Sequence, residues 1–169
     1  RYGAESPYID LVLPCGSGLD LQLDGMVPRA TIARIAQGLA NRKSFELYWP
    51  EPTQAPQYCE TSDTHRDASG IRVVHQPTLR LILAGTGESL LAMCRLAHAA
   101  DIKVIALSTD DSMATLLASM DIELHLLQHQ HALPKLQWDN YSAAITLFHE
   151  HEWELAFLHA ALSSNAFLV

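Results

Sequence analysis

Apolar and polar residues between positions 80 and 111 follow the order of a strand, a glycine turn, a helix and a second strand. Residues 81–84 form a continuous apolar run, which is typical of a strand buried on both faces. A Gly-Thr-Gly turn follows at residues 85–87, and apolar side chains then recur at helical spacing before a second apolar run at residues 104–107. The pattern predicts a βαβ unit with a right-handed crossover.

The alternation of strands and helices continues to the end of the sequence. Its segments predict a helix at residues 113–119, a strand at 123–127, a loop at 128–140, a strand at 142–148, a helix at 153–162 and a fifth strand at 166–169. We therefore expect an α/β fold with a Rossmann-like parallel sheet in the strand order 3-2-1-4-5.

The first part of the chain has a different pattern, with more strands and fewer helices. Two alternating segments at residues 8–13 and 19–23 flank the turn Pro14-Cys15-Gly16-Ser17-Gly18 and predict a β-hairpin. The remaining segments predict a helix at 28–41, strands at 45–49 and 71–75, and a loop at 50–69 with a short strand around Tyr58. The sequence thus predicts a small β-rich α+β segment at residues 1–76 and a Rossmann-like domain at residues 77–169.

Composition and charge exclude several classes of protein. Of the 169 residues 49% are hydrophobic and only 18% are charged, which indicates a folded chain. The formal net charge is −8, and a single basic residue, Lys135, follows Lys103. A nucleic-acid partner would need a basic face, and the sequence offers none. No apolar run approaches the ~20 residues that span a bilayer.

The cysteines indicate the compartment. Cys15, Cys59 and Cys94 are odd in number and widely spaced, which fits a reduced cytoplasmic chain better than a disulfide framework. No CxxC pair is present, which argues against a zinc-ribbon or iron–sulfur site.

The glycine turn is a candidate anion site. Gly85 permits a tight turn, Gly87 lets the backbone approach a phosphate, and the N-terminus of the following helix offers unpaired N–H groups. Three residues argue against a dinucleotide: Leu90 replaces a third glycine, Glu88 places a carboxylate at the helix start, and Ser108 ends the second strand. A strand–turn–helix corner without any ligand is the alternative.

A pair of histidines follows the fourth predicted strand of the domain. His149 and His151 would point the same way on an extended backbone and could share a metal or one anionic ligand. In the expected strand order they flank the same crevice as Gly85 and Gly87, at the switch point of the sheet. The alternative is a pair of loop histidines that only precedes the next helix.

Three motifs in order resemble one family. Residues 13–18, LPCGSG, resemble the PCGG-type hairpin of the XdhC/CoxI family, and residues 148–155, FHEHEWEL, are similar to its THDH…DL motif. The Gly-Thr-Gly turn falls where that family has the GAG turn that opens its Rossmann domain. The resemblance extends over nearly the whole chain.

The family consists of accessory proteins for molybdenum hydroxylases such as xanthine dehydrogenase. The resemblance implies a cytoplasmic cofactor chaperone without turnover of its own. It would bind molybdenum cofactor of the molybdopterin type, assist its sulfuration, with a cysteine desulfurase as a further partner, and insert it into the hydroxylase. Cys15 would contact the molybdenum or hold its sulfur. The cofactor-binding residues implied by the three motifs are Cys15, Gly16, Gly18, Gly85, Thr86, Gly87, His149 and His151.

Two other functions remain open from the residues alone. One is an NAD(P)-dependent oxidoreductase, for which His149 is the candidate proton donor. The other is a non-catalytic interaction domain with an empty Rossmann crevice. We also expect a homodimer, because the short β-rich segment would bury little apolar surface by itself.

Overall fold

The chain folds as an α/β protein whose two sheets belong to two different units. The structure, a computed structural model, describes residues 25, 27–51, 54–60 and 70–169. Contacts divide the chain into a first unit, Arg1–Gln76, and a second unit, Pro77–Val169. The predicted hairpin at residues 8–23 lies outside the described residues.

The first unit combines one helix with a three-stranded antiparallel sheet in the order β2-β1-β3. Its elements are α1 (Arg29–Ala40), β1 (Phe45–Trp49), β2 (Gln57–Glu60) and β3 (Ile71–His75). Phe45 is buried, with its ring stacked on Tyr58 at 4.9 Å and on His75 at 4.8 Å between centroids. Gly38 of α1 has no room for a side chain, because a Cβ there would lie 2.8 Å from the Tyr58 hydroxyl oxygen. The small residue thus lets the helix approach β2 closely.

The second unit is a four-stranded parallel sheet with helices on both faces. Its elements are β4 (Arg80–Gly85), α2 (Gly87–Ala99), β5 (Lys103–Ser108), α3 (Ala114–Ser119), β6 (Glu123–Leu126), β7 (Ser142–Leu147) and α4 (Glu154–Leu162), the last preceded by a 3₁₀ turn at His151–Trp153. The strand order is β6-β5-β4-β7, which is 3-2-1-4 in the numbering of the domain. The predicted α/β Rossmann-like fold class is confirmed.

The fifth predicted strand is much shorter than expected. Residues 166–169 do not form a strand, and a single parallel bridge joins Leu168 to Ala143 of β7. The N–H of Ala144 donates to the Leu168 carbonyl at 2.9 Å, so the segment takes the place of a fifth strand beside β7 without continuing the ladder. The apolar run at residues 166–169 therefore predicted more strand pairing with β7 than the single bridge that forms.

Alternating residues of the sheet face two separate cores. Leu83 and Ala106 pack with buried residues of α2 and α3, whereas Ile82 and Ala84 pack against Phe157 of α4. Because successive side chains of a strand point to opposite faces, the apolar runs of β4 and β5 serve both cores. This is the reason why these strands show no polar alternation in the sequence.

The connection from β6 to β7 contains neither a helix nor a strand, as the sequence predicts. Trp138 lies on the α4 face with its ring centroid 5.9 Å from that of Phe157. The connection is fastened at the start of β4, where the buried Arg80 guanidinium donates to the Gln137 carbonyl and, at 3.0 Å, to the Ser142 hydroxyl. Apolar packing on α4 and hydrogen bonds from one arginine thus hold the connection against the second unit.

Among the residues that the structure describes, no helix combines the length and the apolar character that crossing a bilayer requires.

Candidate functional site

The candidate site lies at the carboxyl edge of the parallel sheet, where β4 and β7 end side by side. The register pairs Gly85 with Leu147, although 61 positions of sequence separate them. After β4 the chain crosses to β5 on one side, and after β7 it continues to the bridge at Leu168 on the other. This reversal of direction is the switch point of an open α/β sheet, the place where such sheets bind ligands.

The glycine turn is built from two glycines with different reasons to be glycine. A Cβ on Gly85 would lie 2.7 Å from the Cβ of Leu147 and 2.9 Å from its carbonyl carbon and oxygen, so close packing of β4 on β7 excludes a side chain. Gly87 has open space around it but a φ of +63°, a conformation that most residues avoid. The first glycine therefore serves strand packing and the second serves the turn.

The start of α2 offers the donors that an anion needs. Thr86 is the N-cap residue, with an extended backbone and no hydrogen bond from its side chain to the helix. The N–H groups of the first turn therefore do not donate to the Thr86 side chain, and the space beside Gly87, where a Cβ would stand, is open. Glu88, in the same turn, is exposed and adds a negative charge where an anion would approach.

The two histidines do not lie on a strand. β7 ends at Leu147, residues 149–150 form a bend, and His151 begins the 3₁₀ turn. The extended backbone that would point both imidazoles the same way is therefore absent at His151. Both side chains are exposed. The sheet register brings them to the same edge as the glycine turn, and their sharing of one ligand stays a prediction.

A hydrogen-bonded chain of three side chains connects β7, the 3₁₀ turn and α4. The Thr146 hydroxyl donates to Oε1 of Glu154 at 3.0 Å, and Oε2 of Glu154 lies 3.0 Å from Nδ1 of His151. The hydrogen bond with Glu154, followed by the charge of Glu154, raises the pKa of His151, and the same hydrogen bond lowers the pKa of Glu154. The arrangement favours a carboxylate that holds a protonated imidazole.

Glu154 and Thr146 are candidate site residues that the sequence analysis did not identify. The spacing of three between His151 and Glu154 at a predicted helix start could have indicated the pair. The contribution of Thr146 had no such signal, because it depends on how α4 folds back toward β7.

The end of β5 carries a buried serine and an aspartate that is hydrogen-bonded within its own turn. Ser108 is fully buried, and its hydroxyl oxygen accepts a hydrogen bond from the N–H of Asp110 at 3.1 Å. The carboxylate of Asp110 accepts from the N–H of Ser112 at 2.8 Å and from its hydroxyl at 2.7 Å, and the first of these bonds mainly lowers the pKa of Asp110. Its hydrogen-bonding capacity is thus partly used within its own turn.

The remaining candidate residues lie away from this edge or outside the described part of the chain. Cys15, Gly16 and Gly18 belong to residues 1–24, which the structure does not describe. Cys94 is fully buried among the α2 and α3 residues, as its helical spacing predicts, and burial raises its pKa to about 11. Cys59 lies half-buried in β2.

Two further histidines line an open groove beside the edge strand β6. The groove, about 470 Å³ in volume, is lined by His125 and His129, and His125 already pairs with Glu123 at 2.9 Å. Within residues 25, 27–51, 54–60 and 70–169, no three His, Cys, Asp or Glu side chains are grouped so that they could hold a metal ion.

A curated protein is similar to this chain over nearly its whole length. The chain is 28% identical over 169 residues to the molybdenum cofactor insertion chaperone PaoD of Escherichia coli K12, and the match covers 99% of this chain and 46% of the relative. The chain thus spans about half the length of the curated relative it matches. No protein-family model matches the chain.

The fold is also similar to a solved structure. A crystal structure of a xanthine dehydrogenase from Bacillus halodurans matches with a TM-score of 0.57 over 90% of this chain and 52% of that one, at 14% identity. At this identity the match shows the fold alone. The resemblance that the three motifs predict is confirmed by the similarity to an insertion chaperone, which is consistent with an XdhC-like protein.

Proposed function

We propose that the chain is an accessory factor that binds molybdenum cofactor and helps to insert it into a molybdenum hydroxylase of the xanthine dehydrogenase type. The observation that carries this proposal is the similarity to an insertion chaperone over 99% of the chain. The order of the PCGSG, Gly-Thr-Gly and HEH motifs supports it.

The carboxyl edge of the second unit suits the anionic end of such a cofactor. The first turn of α2 has no side-chain cap, and the open space around Gly87 leaves room for a phosphate against the backbone. Gly85, Thr86 and Gly87 would bind the phosphate or pyrophosphate end, with His149 and His151 beside it. The bound cofactor carries the molybdenum centre that the hydroxylase uses, and this chain would only hold and deliver it.

Cys15 is our candidate for the metal or sulfur end of the cofactor. A thiolate is a soft ligand that suits molybdenum and can also hold a persulfide sulfur received from a cysteine desulfurase. The N–H groups of Gly16 and Gly18 would stabilise that thiolate. Assistance in sulfuration, action as a homodimer and location in the cytoplasm are parts of the same proposal, and the last rests on the odd number of cysteines.

An enzyme-activation assay tests this function. A cofactor-free hydroxylase is incubated with molybdenum cofactor that was first mixed with the full chain, and in parallel with cofactor alone. We expect more hydroxylase activity with the chain present, and less when Cys15→Ser replaces it. Cys59→Ser is the matched control, since Cys59 lies in β2 outside the three motifs. Equal activation with and without the chain would contradict the insertion role.

An NAD(P)-dependent oxidoreductase is the second candidate function. The Gly-Thr-Gly turn at the switch point favours it, whereas the burial of Ser108 and the partial engagement of the Asp110 carboxylate by Ser112 disfavour a ribose hydroxyl at the end of β5. The oxidation of NADPH or NADH in the presence of simple carbonyl substrates would reveal this activity as a fall in nicotinamide absorbance.

A further inference from the structure

The carboxylate of Glu154 is divided between two partners. Thr146 of β7 holds one oxygen and His151 the other, each at 3.0 Å. The side chain of Glu154 is only 16% exposed, whereas that of His151 is 89% exposed. A mostly buried carboxylate, hydrogen-bonded to Thr146 of β7, therefore also forms a hydrogen bond with an imidazole that is exposed to solvent.

The geometry determines which ring nitrogen a ligand can meet. Glu154 accepts the proton of Nδ1, so the nitrogen that remains for a ligand is Nε2. The register places His151 four residues beyond Leu147, the neighbour of Gly85, and thus at the edge that carries the glycine turn. The charged groups that act on the ring are Glu154 and, more weakly, Glu152, and both favour its protonated form.

We infer that Glu154 is a positioning residue that holds protonated His151 as the cationic contact for a phosphate group bound at the glycine turn. This inference deepens the proposed function and rests on it for the identity of the ligand. A protonated Nε2–H forms a charge-assisted hydrogen bond to a phosphate oxygen. Thr146 contributes by keeping Glu154 in place.

A purely structural role for Glu154 is the competing explanation. A glutamate in the first turn of α4 stabilises the helix through the helix dipole, whatever His151 does. That role predicts a less stable protein on substitution but no change in how His151 titrates or responds to phosphate. The two explanations therefore differ in the behaviour of one imidazole.

The test follows the histidine side chains of the full chain by nitrogen-15 NMR as the pH is changed. We expect Glu154→Gln to lower the pH midpoint of the His151 titration, because the hydrogen bond and the charge that favour the protonated imidazole are both weakened. Thr146→Val, which leaves the carboxylate present but untethered, should lower it less. Glu152→Gln is the matched control, since it removes the same charge two positions away without removing the hydrogen bond to the ring.

Inorganic pyrophosphate is the probe for binding. In the unsubstituted chain it should shift the His151 resonance, and its affinity should fall as the pH rises through the His151 midpoint. In Glu154→Gln the affinity at pH 7 should fall by roughly threefold or more, as expected for loss of a charge-assisted contact. The pH at which binding weakens should also move lower, whereas Glu152→Gln should stay close to the unsubstituted chain.

Two results would overturn the inference: a His151 resonance that pyrophosphate does not change, or a Glu154→Gln variant whose midpoint and affinity match those of the unsubstituted chain. Retention of molybdenum cofactor separates this outcome from failure of the proposed function. Cofactor retained equally by both proteins would refute the role of Glu154 alone. Pyrophosphate binding that depends on Glu154, in a chain that retains no molybdenum cofactor, would support the phosphate contact and refute the proposed ligand.

Discussion

The contact between Gly85 and Leu147 predicts that even a methyl group at position 85 will destabilise the second unit. In Gly85→Ala the new Cβ would lie 2.7 Å from the Cβ of Leu147 and 2.9 Å from its carbonyl carbon and oxygen. Carbon atoms pack favourably at about 3.5–4.0 Å, so β4 and β7 would have to separate by most of an ångström. Because Leu147 backbone atoms are involved, a change of rotamer cannot relieve the overlap.

Overpacking of this kind costs about 1–3 kcal/mol. For a chain of 169 residues, a loss of about 2 kcal/mol corresponds to a fall in Tm of roughly 4–8 °C. Urea unfolding followed by far-ultraviolet circular dichroism measures the free energy of unfolding, and an unchanged m-value would show that the unfolding reaction itself is the same.

Gly87→Asn is the matched control for the same turn. Position 87 has open space and a φ of +63°, which asparagine adopts more readily than most residues. We expect this variant to lose less than about 1 kcal/mol. A Gly85→Ala variant within about 0.5 kcal/mol of the unsubstituted chain, the usual range for harmless surface changes, would refute the reasoning about close strand packing.

Three further predictions follow from buried side chains of the second unit. Phe157→Ala removes the largest fully buried side chain of this unit and should lower the free energy of unfolding in urea by about 3–5 kcal/mol. Leu155→Ala, on the exposed side of the same helix, should change it by less than about 0.5 kcal/mol. Equal effects of the two substitutions would contradict the assigned core. Arg80→Met removes the hydrogen bonds that hold the connection between β6 and β7. It should therefore lower the free energy of unfolding by about 1–3 kcal/mol and speed proteolysis of this connection. An unchanged cleavage rate would show that Arg80 does not hold the segment in place. Burial raises the pKa of the Cys94 thiol to about 11. In a variant that lacks the other two cysteines, Cys94 should therefore not react with a thiol reagent at pH 8 until the protein is unfolded. Rapid reaction of the folded protein would contradict the burial of Cys94.

The sequence predicted the parallel sheet well because topology rules add information to local pattern. The apolar runs of β4 and β5 indicated buried strands, and right-handed crossovers together with the usual strand order placed β7 beside β4. That placement is what brought the glycine turn and the two histidines to one edge before any contact was known.

Other features depended on geometry that the sequence does not encode locally. The run at residues 166–169 is as apolar as a strand but forms only one bridge, since apolarity indicates burial and not pairing. The contact between Thr146 and Glu154 could not be predicted without knowing how the 3₁₀ turn and α4 lie against β7. The same 3₁₀ turn interrupts the extended backbone on which His149 and His151 would point the same way. The predictions for Cys15, Gly16 and Gly18 rest on the motif alone, because these residues lie outside the described part of the chain.

The retention of cofactor is the measurement that tests the central claim most directly. The full chain is incubated with molybdenum cofactor, and in a parallel sample with NADPH, and native mass spectra of both are recorded. The account predicts an added mass equal to the molybdenum cofactor, reduced in Cys15→Ser, and no retained nicotinamide dinucleotide. A retained dinucleotide without any cofactor mass would contradict it and would favour the oxidoreductase.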